Sequence, residues 1–187
     1  MFRKISAVLI ACVVTAAGLV GSAGSASAAG VSRTALAKAA SAVEYENVGG
    51  SNYGYYKSKA GYRTQLNWGN DGCSIPTKAL VAAGILSPAT LLAMLKYKAV
   101  FEHSCDRHDF GYRNYGKNTR TAGPHLKLNP TEARKHSIDV QFRDNMYLQC
   151  TKKYGAPYIS RTACKGAAQG FYLAVSKTSG GHKAFFG

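Results

Sequence analysis

Apolar residues recur at every third or fourth position through most of the chain, in segments separated by runs of glycine, proline and small polar residues. That period belongs to helices that bury one face. No alternation of period two is long enough to predict a strand. A first helix is predicted over 32–48, where Leu36, Ala39, Ala40 and Val43 recur at helical spacing. "GGSNYGYYKSKAGYR" then reads as a glycine-broken loop that interleaves tyrosines with lysines. Such a stretch can meet a membrane interface or nucleic acid, or simply pack its rings on the body of the protein. "NWGNDGCSIP" collects turn-forming residues and is predicted as a loop. A short helix over 77–83 should close at Gly84, and Ser87-Pro88 should open a leucine-rich one carrying Leu91, Leu92 and Leu95.

Two longer helices follow. One, over 100–115, places Phe101, Cys105, His108, Asp109 and Tyr112 on one face and ends at Gly116. A polar loop separates it from the next, over 130–150, whose stripe is Ile138, Asp139, Phe142, Met146 and Cys150. "YGAPYI" turns the chain into a last helix over 161–177, and "SGGHKAFFG" reads as a tail. The pattern predicts an all-α domain without internal repeats.

The N-terminus stands apart. "MFRK", an apolar run over 5–20, and "GSAGSASAAG" with an A-x-A pattern at Ala26–Ala28 describe a secretory signal over 1–28, cut after Ala28. The apolar run is short for a membrane span. Cys12 would leave with the signal, and no cysteine follows the cut for a lipid anchor. The secreted chain, 29–187, has the length of one domain, divided into an N-terminal helix and Tyr/Lys loop (29–66) and a larger region (67–187). It keeps Cys73, Cys105, Cys150 and Cys164, an even set that predicts two disulfides in an exported protein and leaves three pairings open.

Charge narrows the partners. The chain carries 24 Lys and Arg against 9 Asp and Glu, a net charge of +15. It should be drawn to anionic surfaces such as phospholipid or nucleic acid. Acids are scarce, so Asp71, Asp109 and Asp139 stand out.

Candidate chemistry centres on "CDRHDFGYRNY", residues 105–115. Asp139 falls on an apolar face, a costly place for a carboxylate without a partner. Beside His108 it would accept a hydrogen bond from one ring nitrogen and leave the other to take a proton from water. A purely structural His–Asp tie is the alternative. Asp109 points about 100° away from His108. If Cys73 pairs with Cys105, the Asp71 loop is stapled beside Asp109. Two carboxylates and a backbone carbonyl at Gly72 then make a hard-oxygen site suited to Ca²⁺. In that case Cys150 and Cys164 close a short loop, stabilising by roughly 3 kcal/mol. The C-x-x-H spacing of Cys105 and His108 also admits zinc, though an exported chain with even cysteines favours disulfides. His103, His125, His136 and His182 have no comparable partners and are expected at the surface.

"WGNDGC" (68–73), "CDRHDFGYRNY" and "SIDVQFRDNM" with Cys150 and Cys164 resemble the secreted phospholipases A2 of bacteria and fungi, over about 67–175 in pieces. The resemblance implies a small, disulfide-stapled fold with two antiparallel catalytic helices and a calcium loop. It implies Ca²⁺-dependent hydrolysis of the sn-2 ester of glycerophospholipids, with His108 as general base and Asp139 orienting it. Asp71, the Gly72 carbonyl and Asp109 would hold calcium, and the disulfides would be Cys73–Cys105 and Cys150–Cys164. Arg107 and Arg113 would lie on outer faces, and Tyr112 and Tyr115 would pack or line the lipid channel. The partner would be an anionic phospholipid surface, with no specific nucleic acid, and the protein a monomer. Two stretches are longer than is usual in the family: the one between Cys73 and Cys105, and the loop between the catalytic helices. Two other classes remain on the residues alone. One is a basic membrane- or nucleic-acid-binding protein with little catalysis. The other is a secreted metal-dependent phosphodiesterase.

Overall fold

The computed structural model describes residues 30–187 apart from 75, 76, 156 and 157; the expected signal segment lies outside the described residues. The elements run α1 (Arg33–Glu44), α2 (Asn52–Ser58), α3 (Ala60–Gln65), α4 (Thr77–Ala82), α5 (Pro88–Tyr97), α6 (Glu102–Tyr115), α7 (Glu132–Lys153), α8 (Tyr158–Ser176) and α9 (Ser179–Phe186). A 3₁₀ turn, Lys98–Val100, joins α5 to α6. There is no strand among the described residues. Helix starts follow local chemistry: the hydroxyls of Ser32, Ser87 and Thr131 accept from the backbone N–H three residues on, and Pro88 occupies the first turn of α5.

The long helices pack antiparallel. Ser104 of α6 donates to Gln149 of α7, while His108 reaches back to Asp139. Along the α7–α8 seam the pairs are Cys150–Cys164, Tyr147–Gln169 and Lys135–Val175. On the other side of α8, Thr90 and Met94 of α5 lie where a side chain on Gly170 would stand, so the glycine sets the approach of the two helices. Two apolar clusters result. One gathers Met94, Phe101, Phe142, Met146 and Phe171; the other gathers Leu36, Val43, Phe110, Ile138 and Phe185. The disulfides are Cys73–Cys105 and Cys150–Cys164. With both sulfurs of the Cys73–Cys105 pair oxidised, a zinc–thiolate site there is excluded.

Two segments differ from their expected form. The 49–63 stretch is not an open loop but the two short helices α2 and α3, with Tyr53, Tyr56 and Tyr62 against the second cluster and Tyr55 exposed. Ring-on-ring contacts with Trp68 and Phe110 hold it there and override the glycines. Residues 179–186 are a helix rather than a tail. Thr178 caps it, Phe185 is fully buried, and the Phe185 carbonyl accepts from the amides of Lys117 and Asn118.

One buried acid belongs to no ion pair among the described residues. Glu44, at the end of α1, is 2% exposed; its Oε2 faces Gly111 and has no hydrogen-bond partner among them. Burial pushes its carboxyl up to about 8, against the partial opposition of Arg134. The folded state therefore keeps this proton to about pH 8, whereas the unfolded chain releases it near the ordinary value of 4.5. Between those limits the unfolded state binds fewer protons, so this group lowers stability as pH rises. Glu44→Gln should flatten that slope and raise the urea midpoint at pH 8 while changing it little near pH 4.5. Equal midpoints for the two proteins at pH 8 would show that Glu44 is ionised and partnered.

Candidate active site

His108 and Asp139 meet at the seam between the two apolar clusters. The His108 ring lies between Tyr112 and Phe142, at centroid distances of 4.1 and 4.5 Å, one from each cluster. Its Nε2 is 3.0 Å from Asp139 Oδ1. The other ring nitrogen, Nδ1, has no hydrogen-bond partner among the described residues, and His108 lines a cavity of about 280 Å³. Asp139 is 1% exposed and richly supplied with donors. The Tyr112 hydroxyl donates to Oδ1 at 2.7 Å, and Lys135 Nζ donates to Oδ2 at 2.7 Å. Burial alone would push the Asp139 carboxyl up; the hydrogen bonds and charges of His108 and Lys135 prevail and hold it below its ordinary value. Tyr112 is driven strongly the other way by burial and by Asp139, so it remains a donor.

The Asp71 loop faces the next position of α6, as its phase requires. The Asp71 amide donates to Asp109 Oδ2 at 2.6 Å, while Asp71 Oδ1 accepts from Arg113 at 2.7 Å. Gly72 has φ +59°, in the left-handed region, with open space where a Cβ would stand; the backbone conformation is what requires glycine. Upstream, Asn67 and Asn114 exchange amide and backbone bonds at 2.9 Å, which ties the entry of the loop to α6. Downstream, Cys73–Cys105 ties its exit to the same helix. Burial raises the Asp109 carboxyl, with the Asp71 amide the foremost opposing influence. Burial works against the charged form of this carboxyl, and a cation beside it would favour that form.

The donor set fits a hard cation. Among the described residues, Asp109 Oδ1 and Asp71 Oδ2 have no partners and the Gly72 carbonyl accepts from the Ser74 amide alone, at 2.8 Å. No group of three or more His, Cys, Asp or Glu side chains is arranged for a metal among the described residues. Any ion here would rest on two carboxylates and main-chain oxygens, which suits Ca²⁺ and not zinc.

The cavity joins these parts. Asp71, Gly72, His108 and Asp109 line it together with the apolar Phe142, Phe171, Ala174, Val175 and Ala184. The expected catalytic and loop residues are thus brought together. Other expectations are corrected. Arg107 is buried, not on an outer face, because the turn between α1 and α2 folds over it and Glu46 pairs with it at 3.0 Å. The Arg113 side chain is also largely covered, drawn onto Asp71. Tyr112 does more than pack, since it shares Asp139 with His108. His103, His136 and His182 are exposed, whereas His125 is half-buried. Lys135 was not legible as part of the site. Its four-residue spacing from Asp139 was the available signal.

Known proteins resemble this chain over the region that carries these residues. A secretory phospholipase A2 of Beauveria bassiana (strain ARSEF 2860) is 29% identical over 115 residues, which is 62% of this chain and 45% of that relative. The chain thus spans less than half the relative's length. A family model described as prokaryotic phospholipase A2 matches residues 47–179, a stretch containing all of the His108, Asp139, Asp71 and Asp109 constellation and both disulfides. The chain belongs to the prokaryotic phospholipase A2 family.

Proposed function

We propose that this protein is a secreted, Ca²⁺-dependent phospholipase A2 that cleaves the sn-2 ester of glycerophospholipids at anionic lipid surfaces, acting as a monomer. The observation that carries the reading is the buried His108–Asp139 pair, with one ring nitrogen unpartnered and the histidine lining a cavity that apolar side chains also line. Apolar walls suit an acyl chain, and the net charge of +15 suits an anionic interface. Both disulfides and the resemblance to a secretory relative support export.

In this mechanism the free Nδ1 of His108 takes a proton from a water whose oxygen attacks the sn-2 carbonyl carbon. Asp139 accepts from Nε2 throughout, fixing the tautomer and steadying the imidazolium that forms. Collapse of the tetrahedral species breaks the bond between carbonyl carbon and glycerol oxygen. His108 returns its proton to that oxygen, and fatty acid and lysophospholipid leave. Asp71, Asp109 and the Gly72 carbonyl would hold Ca²⁺, which when bound supplies charge stabilisation for the substrate phosphate and the developing oxyanion. Asp71 would then divide its carboxylate between the ion and Arg113.

The test is fatty-acid release from mixed phosphatidylcholine and phosphatidylglycerol vesicles, with calcium and with excess chelator. Release that needs calcium and leaves lysophospholipid is expected; no release in either condition would favour a binding protein on the same scaffold. His108→Ala should lower turnover by about 10²- to 10⁴-fold with the fold retained. Asp71→Asn should also sharply lower release and, unlike His108→Ala, weaken calcium binding measured by calorimetry. Unchanged turnover in the His108 variant would remove the proposed base.

A further inference from the structure

We propose that Lys135 is a positioning residue for the His108–Asp139 pair, holding the Asp139 carboxylate and the cavity wall in one arrangement through a single buried ammonium. This inference rests on the hydrolase reading above and deepens it. Lys135 is 5% exposed. Its Nζ donates to Asp139 Oδ2 at 2.7 Å and to the Val175 carbonyl at 2.9 Å, and lies 5.5 Å from the centre of the Tyr112 ring.

Helix formation does not call for a lysine at this position. Lys135 is in the first turn of α7, where the helix dipole opposes a cation. Lysine four residues before an acid is the weaker order for such a pair. Burying the ammonium adds a desolvation cost. Its contacts account for it instead. Asp139 Oδ1 is shared by His108 and Tyr112, so Oδ2 is the oxygen left to fix the plane of the carboxylate, and Lys135 takes it. Val175 is in the last turn of α8, where carbonyls lack an intrahelical donor, and it lines the cavity. The first turn of α9 closes over the same carbonyl: a side chain on Gly181 would overlap the Val175 oxygen. Rotation of Asp139 breaks the Lys135 contact and leaves the His108 ring without a fixed partner.

The test uses the purified protein and a short-chain phosphatidylcholine below its aggregation concentration, so that surface binding does not enter. Lys135→Met should lower kcat about 10- to 100-fold, the scale of a small misplacement of a catalytic group, with KM changed less than about threefold. Lys135→Gln, which can still donate to Asp139, should recover part of that loss. In an Asp139→Asn background, Lys135→Met should cost nothing further, whereas a merely structural role gives an additional loss. Unchanged kcat, a loss confined to KM, additive losses, or failure of both single variants to fold would each overturn the proposal. A lipid-free readout separates it from the reading beneath it: acylation of His108 by diethyl pyrocarbonate, followed by mass spectrometry, should be several-fold slower in Lys135→Met. That difference in a parent protein that releases no fatty acid would leave the positioning role standing and remove the phospholipase. Equal acylation rates with an active parent would do the reverse.

Discussion

A carboxylate that is almost wholly removed from water must be surrounded by donors or give up its charge, and Asp139 is such a carboxylate. Its three donors come from two helices. His108 and Tyr112 stand one turn apart on α6, and Lys135 stands one turn back on α7. Satisfying them sets the register of α6 against α7, and Lys135 carries the constraint on to the end of α8. The apolar clusters on either side fill the space that this network leaves. Neither contains Asp139, and the histidine ring is gripped by one aromatic from each.

The second half of the site depends on the first through helix phase. His108 is committed to Asp139, so its neighbour Asp109 is turned toward the Asp71 loop. The loop is held to α6 at both ends, by Asn67–Asn114 and by Cys73–Cys105. Between these ties the backbone at Gly72 adopts its left-handed turn. His108 and the Asp71–Asp109 carboxylates are thus fixed relative to each other by covalent sequence, not by the tuning of two separate loops.

Much of this is legible in the amino-acid sequence. Helical periodicity located α1, α5, α6, α7 and α8 to within a few residues, because each carries apolar residues at helical spacing; on α5, however, the buried side chains are Met94 and Tyr97, while Leu92 and Leu95 of the expected stripe are exposed. Asp139 betrayed itself by being an acid in such a stripe. Failures came where local composition and tertiary context disagree. Gly180 and Gly181 argue against a helix, yet a capping threonine and the burial of Phe185 make one. The tyrosines of 53–62 form helices because Trp68 and Phe110 receive them. Arg107 and Arg113 read as solvent-facing charges because their acids, Glu46 and Asp71, are distant in sequence. Lys135 escaped for the opposite reason: its partner is near, but a basic residue early in a helix looks like ordinary surface.

The crowding of function onto α6 also governs where the chain can vary. Cys105, His108, Asp109, Arg113 and Asn114 make the disulfide, the pair with Asp139, and the contacts to the Asp71 loop and its anchor from a single helix of 14 residues. One inserted or deleted residue between them would rotate part of the set by about 100° and carry it about 1.5 Å along the axis. No side-chain change elsewhere could restore all five contacts together. Length differences between descendants of such a protein are therefore tolerable in the segments between helices and lethal inside this one. The long stretches before α6 and after it are where this chain has taken that freedom.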